Sequence, residues 1–357
     1  MTVRSTLTPP HRSRRSWQLV AGLIATFLVL VVAACGSSSD DSSAAKTDLS
    51  VGFFPAVIYL PDAVAKEKGY FEDEGLNVKF VTPQDGPTLF RLVMAGKDIN
   101  LTVTDAGAPI SFASQGQKVA LVGSVLNKSP WEISVPTNAE WADGRSYEER
   151  LLALKGKTIG VPGLGSAGYL TLSAGLRQVG LDPEKDVKVI AVVGLPAVAS
   201  QFKKGSLDAY VYQLPFAGQL EKEGAGRSYV RFATDGAALI GDVVSGAVMT
   251  SSKWLESNKP TVARYLAAQQ RAVEWLKDPA NSAEAAKIFN TSFLSGKQPD
   301  LAAEMVDLIT SEWIGDTSPD LAVPPEALEH SISLLPGKLQ NPVTFDSLVK
   351  QIGPGGE

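Results

Sequence analysis

From Gly86 to Val103 the chain reads GPTLFRLVMAGKDINLTV. Pro in a first helical turn and Gly just past a last one mark where helices start and stop. The stretch therefore predicts a helix from Gly86 to Gly96, an acidic turn at Asp98, and a strand over Ile99 to Val103. The same outline returns from Gly194 to Tyr212 as GLPAVASQFKKGSLDAYVY. There a helix from Pro196 to Lys204 stops at Gly205, Asp208 follows, and a strand covers Ala209 to Tyr212. A unit used twice predicts two lobes of similar build, with strand C-termini turned toward a shared crevice that suits a small ligand.

On both sides of these units short β-rich runs alternate with helical stretches, the pattern of an α/β fold with parallel sheets. Upstream lie a strand at Leu49 to Phe53, a helix at Ile58 to Lys68 closed by Gly69, and a strand at Asn77 to Val81. Strands at Val119 to Gly123 and Ile133 to Val135 follow the first unit. Ser146-Tyr147-Glu148-Glu149 has capping-box spacing and opens a helix through Leu154. A strand at Lys157 to Val161, a helix at Gly168 to Val179 ended by Gly180, and a strand at Val187 to Val193 come next. Val244 to Thr250 reads as a strand returning to the first lobe, and the remainder is largely helical.

Cys35 is the only cysteine, and it ends the uncharged run Leu19 to Ala34, which follows Arg4, Arg12, Arg14 and Arg15. Basic, apolar and then small residues make an export signal, expected over residues 1–34. The competing reading is a retained membrane span, since Trp17 to Ala34 approaches the length that crosses a bilayer. No basic flank follows it. Residues 35–47 read instead as a Gly/Ser/Asp tether. Arg14-Arg15 fits ordinary signal charge better than a twin-arginine signal, because Ser16-Trp17-Gln18 follows.

Without residues 1–34 the chain keeps 29 basic residues against 38 acidic ones, a net charge near −9. That balance lacks the basic footprint of a nucleic-acid binder. His11 and His330 are the only histidines, so a metal centre built on Cys and His is excluded, and a Ser-His-Asp relay would have to use His330. No cofactor or metal is expected.

Several stretches then fall in a telling order: Phe53-Phe54-Pro55, Gly69-Tyr70-Phe71-Glu72-Asp73-Glu74-Gly75-Leu76-Asn77-Val78, Leu154-Lys155-Gly156-Lys157-Thr158-Ile159-Gly160-Val161, Gly205-Ser206-Leu207-Asp208-Ala209 and Lys253 to Pro260. Together they resemble the nitrate, sulfonate and taurine substrate-binding proteins of ABC importers, which are related to the thiamine-pyrimidine precursor-binding proteins. Val32-Ala33-Ala34-Cys35 likewise resembles a bacterial lipobox, which implies cleavage before Cys35 and its lipidation on the outer face of the cell membrane. The family resemblance implies a type II periplasmic-binding fold. Residues 48–135 plus 246–357 would form one lobe and residues 136–245 the other, with crossings near Val135-Pro136 and Ser245-Gly246-Ala247.

The loop Gly163-Leu164-Gly165-Ser166-Ala167-Gly168 fits the spacing of a dinucleotide fingerprint, but the next strand ends in Gly194-Leu195-Pro196 rather than an acid. Glycines and a helix N-terminus still favour an anion, which makes Gly165, Ser166 and Ala167 binding candidates; a plain turn is the alternative. Thr104 and Asp105 follow the matching strand, either as ligand contacts or as helix caps. Ser129 and Trp131 are expected between strands of the first lobe, with Trp131 on the cleft or in the core. Alternation puts Tyr210 and Tyr212 on one face, and Gln213 and Phe216 follow them. Gln213-Leu214 stands where family members often carry an acid, which argues against a cationic or amine-bearing ligand and leaves an uncharged amide. Phe53, Phe54 and Tyr59 complete the aromatic candidates.

The resemblance implies a monomeric receptor that is not an enzyme. It would deliver a small organic anion, such as a sulfonate, to a permease and its ATPase. A heteroaromatic pyrimidine ligand is the nearest rival. A pyrimidine-synthase-like enzyme and a surface sensor are the rivals of other classes.

Overall fold

The computed structural model describes residues 46–142, 146–236, 238–315, 317–335 and 339–353. The expected signal, Cys35 and nearly all of the tether lie outside the described residues. Ten strands are described: β1 Thr47–Gly52, β2 Leu76–Val81, β3 Leu101–Thr104, β4 Val119–Ser124, β5 Trp131–Pro136, β6 Thr158–Val161, β7 Lys188–Ala191, β8 Ala209–Gln213, β9 Gly226–Arg231 and β10 Ala247–Ser251. They form two five-stranded sheets, ordered β2-β1-β3-β10-β4 and β7-β6-β8-β5-β9.

The sheets are built alike. In each, four of the five strands share one direction, and β10 or β5 runs antiparallel to both neighbours. That antiparallel strand is always the first one after the chain has crossed from the other sheet. The repeat extends to hydrogen bonds. Ser50 N–H donates to Asn100 Oδ1 at 2.8 Å while Asn100 N–H returns to the Ser50 carbonyl. Thr158 N–H donates to Asp208 Oδ2 at 2.8 Å while Asp208 N–H returns to the Thr158 carbonyl. Asn100, rather than Asp98, is thus the partner of Asp208 in the repeat.

Residues 131–135 differ from expectation. They belong to the second sheet, because Trp131 pairs with Gln213 and Ile133 with Val211 in β8. The first crossing is therefore residues 125–130, ahead of the expected Val135-Pro136. The return crossing runs beside it where expected: Ser245 and Gly246 donate to the Leu126 carbonyl at 3.1 and 2.8 Å, and Val125 donates to that of Gly246. Lys128 and Asp242 add an ion pair between the two crossings.

Helices cover both sheets, and the two predicted units are realised as Gly86–Ala95 and Leu195–Lys204, each stopped by a left-handed glycine, Gly96 or Gly205. In the first core the long helix Ser252–Lys277, kinked beside Pro260, packs Tyr265 and Leu266 against Val64 and Phe71. Asp62 is buried there and accepts from Tyr265 Oη and Gln269 Nε2, both at 2.7 Å. The second core gathers Ile133, Ile159, Leu172, Val211 and Phe232. β9 was not expected from the sequence: Arg227 and Arg231 keep a half-exposed face, while Tyr229 and Val230 are buried.

Candidate ligand-binding cleft

Strand C-termini of both sheets converge on a cavity of about 450 Å³. Phe54 enters it after β1, Pro83 to Asp85 after β2, Thr104 and Asp105 at the end of β3, Pro162 after β6, Val193 after β7 and Gln213 at the end of β8. Ligands in open α/β sheets bind at such carboxyl ends. The volume falls within the range of small-molecule pockets.

Aromatic rings from both sides make most of the wall. Trp131 meets Tyr212 edge-on at 6.2 Å, Tyr212 lies 4.9 Å from Phe216, and Tyr210 stacks along Tyr212 at 6.0 Å. Tyr59, Phe90 and Phe293 face them from the first lobe. Burial raises the pKa of the Tyr59 and Tyr212 hydroxyls, so both stay neutral donors. Among the described residues, the charged ones in the lining are Asp85 and Asp105, with no Lys, Arg or His beside them.

Asp105 ties the two lobes together. Its Oδ1 accepts from Trp131 Nε1 at 3.0 Å and its Oδ2 from Gln213 Nε2 at 3.3 Å. Burial pushes its pKa up to about 7, against the opposing pull of the indole hydrogen bond. The helix that follows, Gly107–Ser114, takes Ala106 as its N-cap and has no side-chain cap. Neither Thr104 nor Asp105 is therefore a cap.

On the opposite wall Ser166 caps the helix Ala167–Gln178, its Oγ accepting from Tyr169 N–H at 3.3 Å. Ser166 and Ala167 both line the cavity. Gly168 lets the indole lie against this helix, since a Cβ there would sit 2.6 Å from the Trp131 ring. Ser166→Ala is expected to lower stability by about 1 kcal/mol through the lost cap, whatever it does to binding. Chemical denaturation of the variant without ligand checks this.

Three of the expected site residues sit elsewhere. Phe53 packs into the first core, stacked on Phe80 at 4.7 Å and 5.0 Å from Tyr59. Ser129 is buried in the first crossing, its N–H donating to the Gly241 carbonyl. Gly165 is absent from the lining, has open space where a Cβ would stand, and is held to glycine by its φ of +83°. A larger side chain at 165 would therefore meet backbone strain rather than a collision. Phe54, Thr104, Asp105, Trp131, Ser166, Ala167, Tyr212, Gln213 and Phe216 are brought together in the lining. Phe90, Val193, Gln219 and Phe293 join them without having been anticipated. Phe90 and Phe293 look like core positions in apolar helical runs, and only tertiary packing turns them to the cavity.

The pattern of the NMT1-like family matches residues 42–290. A Bacillus subtilis protein named for binding aliphatic sulfonates is 29% identical over 274 residues, spanning 73% of this chain and 75% of its own. A 4-amino-5-hydroxymethyl-2-methylpyrimidine phosphate synthase of Saccharomyces cerevisiae is 24% identical over 237 residues, spanning 64% and 66%. Among solved structures, the alkanesulfonate-binding protein SsuA of Xanthomonas axonopodis pv. citri, bound to MOPS, superposes with a TM-score of 0.65 at 19% identity, covering 86% of this chain and 99% of that one. The paired sheets, the two crossings and the cleft between them are therefore the periplasmic-binding-protein fold. With the family pattern spanning well over half its length, the chain belongs to the NMT1-like family.

Proposed function

We propose that the protein is the extracytoplasmic ligand-capturing component of an ABC importer. It would be anchored to the outer face of the cell membrane through lipid on Cys35 and would hand its ligand to a permease and ATPase as a monomer. The observation that carries this reading is the cavity itself, whose walls come from two lobes joined by two crossings, so that a ligand between them favours the closed arrangement. A sulfonate-like organic anion with an apolar or aromatic body suits the aromatic walls, with its head at the Ser166 helix N-terminus. The relatives named for sulfonates support the same class.

An aminated heteroaromatic is the second reading, favoured by Asp85 and Asp105 in a lining without a cation. The kinship with a pyrimidine phosphate synthase points the same way. Binding without turnover is proposed for either ligand.

Small-angle scattering of the full chain in detergent, titrated with aliphatic and aromatic sulfonates and aminopyrimidines, tests the receptor reading. Compaction with at least one compound, recovered unchanged afterwards, is the expected result. Sustained chemical conversion of the bound compound would instead make the protein an enzyme.

A further inference from the structure

The repeat between the lobes extends to the ends of β3 and β8. Asn100 corresponds to Asp208, and Gly52 pairs with Thr102 as Gly160 pairs with Tyr210. Counting on from these, Thr104 corresponds to Tyr212 and Asp105 to Gln213. Asp105 and Gln213 touch each other across the cleft, and equivalent residues of two related units meet where the axis relating them passes. Thr104 and Tyr212, one place earlier on each strand, therefore bring equivalent hydroxyls to the cavity from opposite lobes. Other polar groups of the wall are spent on the protein: Trp131 Nε1 and Gln213 Nε2 on Asp105, Tyr59 Oη on Thr102, and Tyr210 Oη on the Val192 carbonyl at 2.9 Å. Thr104 is buried and Tyr212 half-buried, yet among the described residues neither hydroxyl has a hydrogen-bond partner, and neither oxygen is sealed from the cavity. Each is a donor held ready for something that enters.

We propose that Thr104 and Tyr212 are a specificity-determining pair, each hydroxyl donating to a separate oxygen of one oxoanion head, so that the site selects ligands whose head offers an acceptor to both lobes at once. The inference rests on the receptor reading and deepens it. Hydrogen bonds to a charged group are among the stronger ones, so two of them hold an anion where the described lining offers no cation. Asp105 turns its two oxygens to Trp131 and Gln213 and does not compete for either hydroxyl. A sulfonate has three oxygens, so two can meet the hydroxyls while the third faces the N-terminus of the helix capped by Ser166. Because the two donors belong to different lobes, a head between them favours the closed arrangement.

Calorimetric titration of the full chain in detergent with benzenesulfonate and ethanesulfonate, each at up to millimolar concentration, tests the pair. Thr104→Val and Tyr212→Phe should each weaken the tighter probe about tenfold, the loss expected when a hydrogen bond to a charged group is removed. Without ligand neither variant should lose stability in urea, because each deletes a hydroxyl that the protein leaves unpaired. Tyr210→Phe is the contrast, since it breaks the bond to Val192 and should unfold more easily. Affinity within about threefold of the unaltered protein in either variant overturns the inference, as does a loss of unliganded stability like that of Tyr210→Phe. Failure of both sulfonates to bind overturns it too. Compaction by an aminopyrimidine alone would then leave the receptor reading standing while removing this one.

Discussion

Trp131→Ala is expected to weaken ligand binding by roughly 2–4 kcal/mol, the range of a central aromatic anchor, or about 30- to 1,000-fold. The indole performs three tasks. Its face lies against Gly168 of the helix Ala167–Gln178, it packs edge-on to Tyr212, and its N–H holds Asp105 in place from the other lobe. Alanine removes a cavity wall and leaves the buried Asp105 carboxyl with Gln213 as its one remaining side-chain donor. Trp131→Phe separates these contributions, because it keeps an aromatic wall and loses the N–H, and it should fall between the two. Calorimetric titration with the tightest sulfonate or pyrimidine decides the matter. Unchanged affinity in a folded Trp131→Ala protein would remove the indole from the site.

Much of this arrangement was legible in the sequence because it is written in local signals. The Gly-Pro openings and glycine stops at Gly96 and Gly205 act within a few residues, and both helices formed where those signals put them. The candidate loops after β3, β6 and β8 were found for the same reason, since a strand end followed within three residues by Gly or Pro has a short-range signature. What was not legible depends on partners distant in the chain. Trp131 to Val135 looked like a continuation of the first lobe, and only pairing with β8, some eighty residues on, assigns it to the second. The bond from Trp131 to Asp105 spans 26 positions and that from Gln213 spans 108. Phe53 and Phe54 are neighbours with the same side chain and both pack against the first core, yet only Phe54 also lines the cavity. Strand alternation separates the two faces, but it does not say which face meets the ligand.

Unfolding stability is expected to fall as pH rises from about 4 to about 7, and Asp62 gives the cleanest test. Burial pushes the carboxyls of Asp62, Asp105 and Glu132 up to about 7 each. Below the unfolded-state value near 4, folded and unfolded chains are both protonated, and the group has no effect on stability. Between about 4 and about 7 the folded chain keeps a proton that the unfolded chain has released, so each step up in pH favours unfolding. Above about 7 the full penalty is reached, up to about 4 kcal/mol for one carboxyl at 1.36 kcal/mol per unit. Asp105 spans the cleft, and Glu132 has Arg231 at 3.8 Å along with donors from Ala217 and Ser228, so substitutions at either disturb other contacts. Asp62 takes both its hydrogen bonds on Oδ1, while its Oδ2 is buried without a partner. Asp62→Asn can keep that acceptor and lose only the ionisation. Its stability should stay close to that of the unaltered protein near pH 4 and exceed it near pH 8, flattening the dependence between them. Urea denaturation across that range measures both slopes, and parallel slopes would mean that Asp62 is ionised in the folded core.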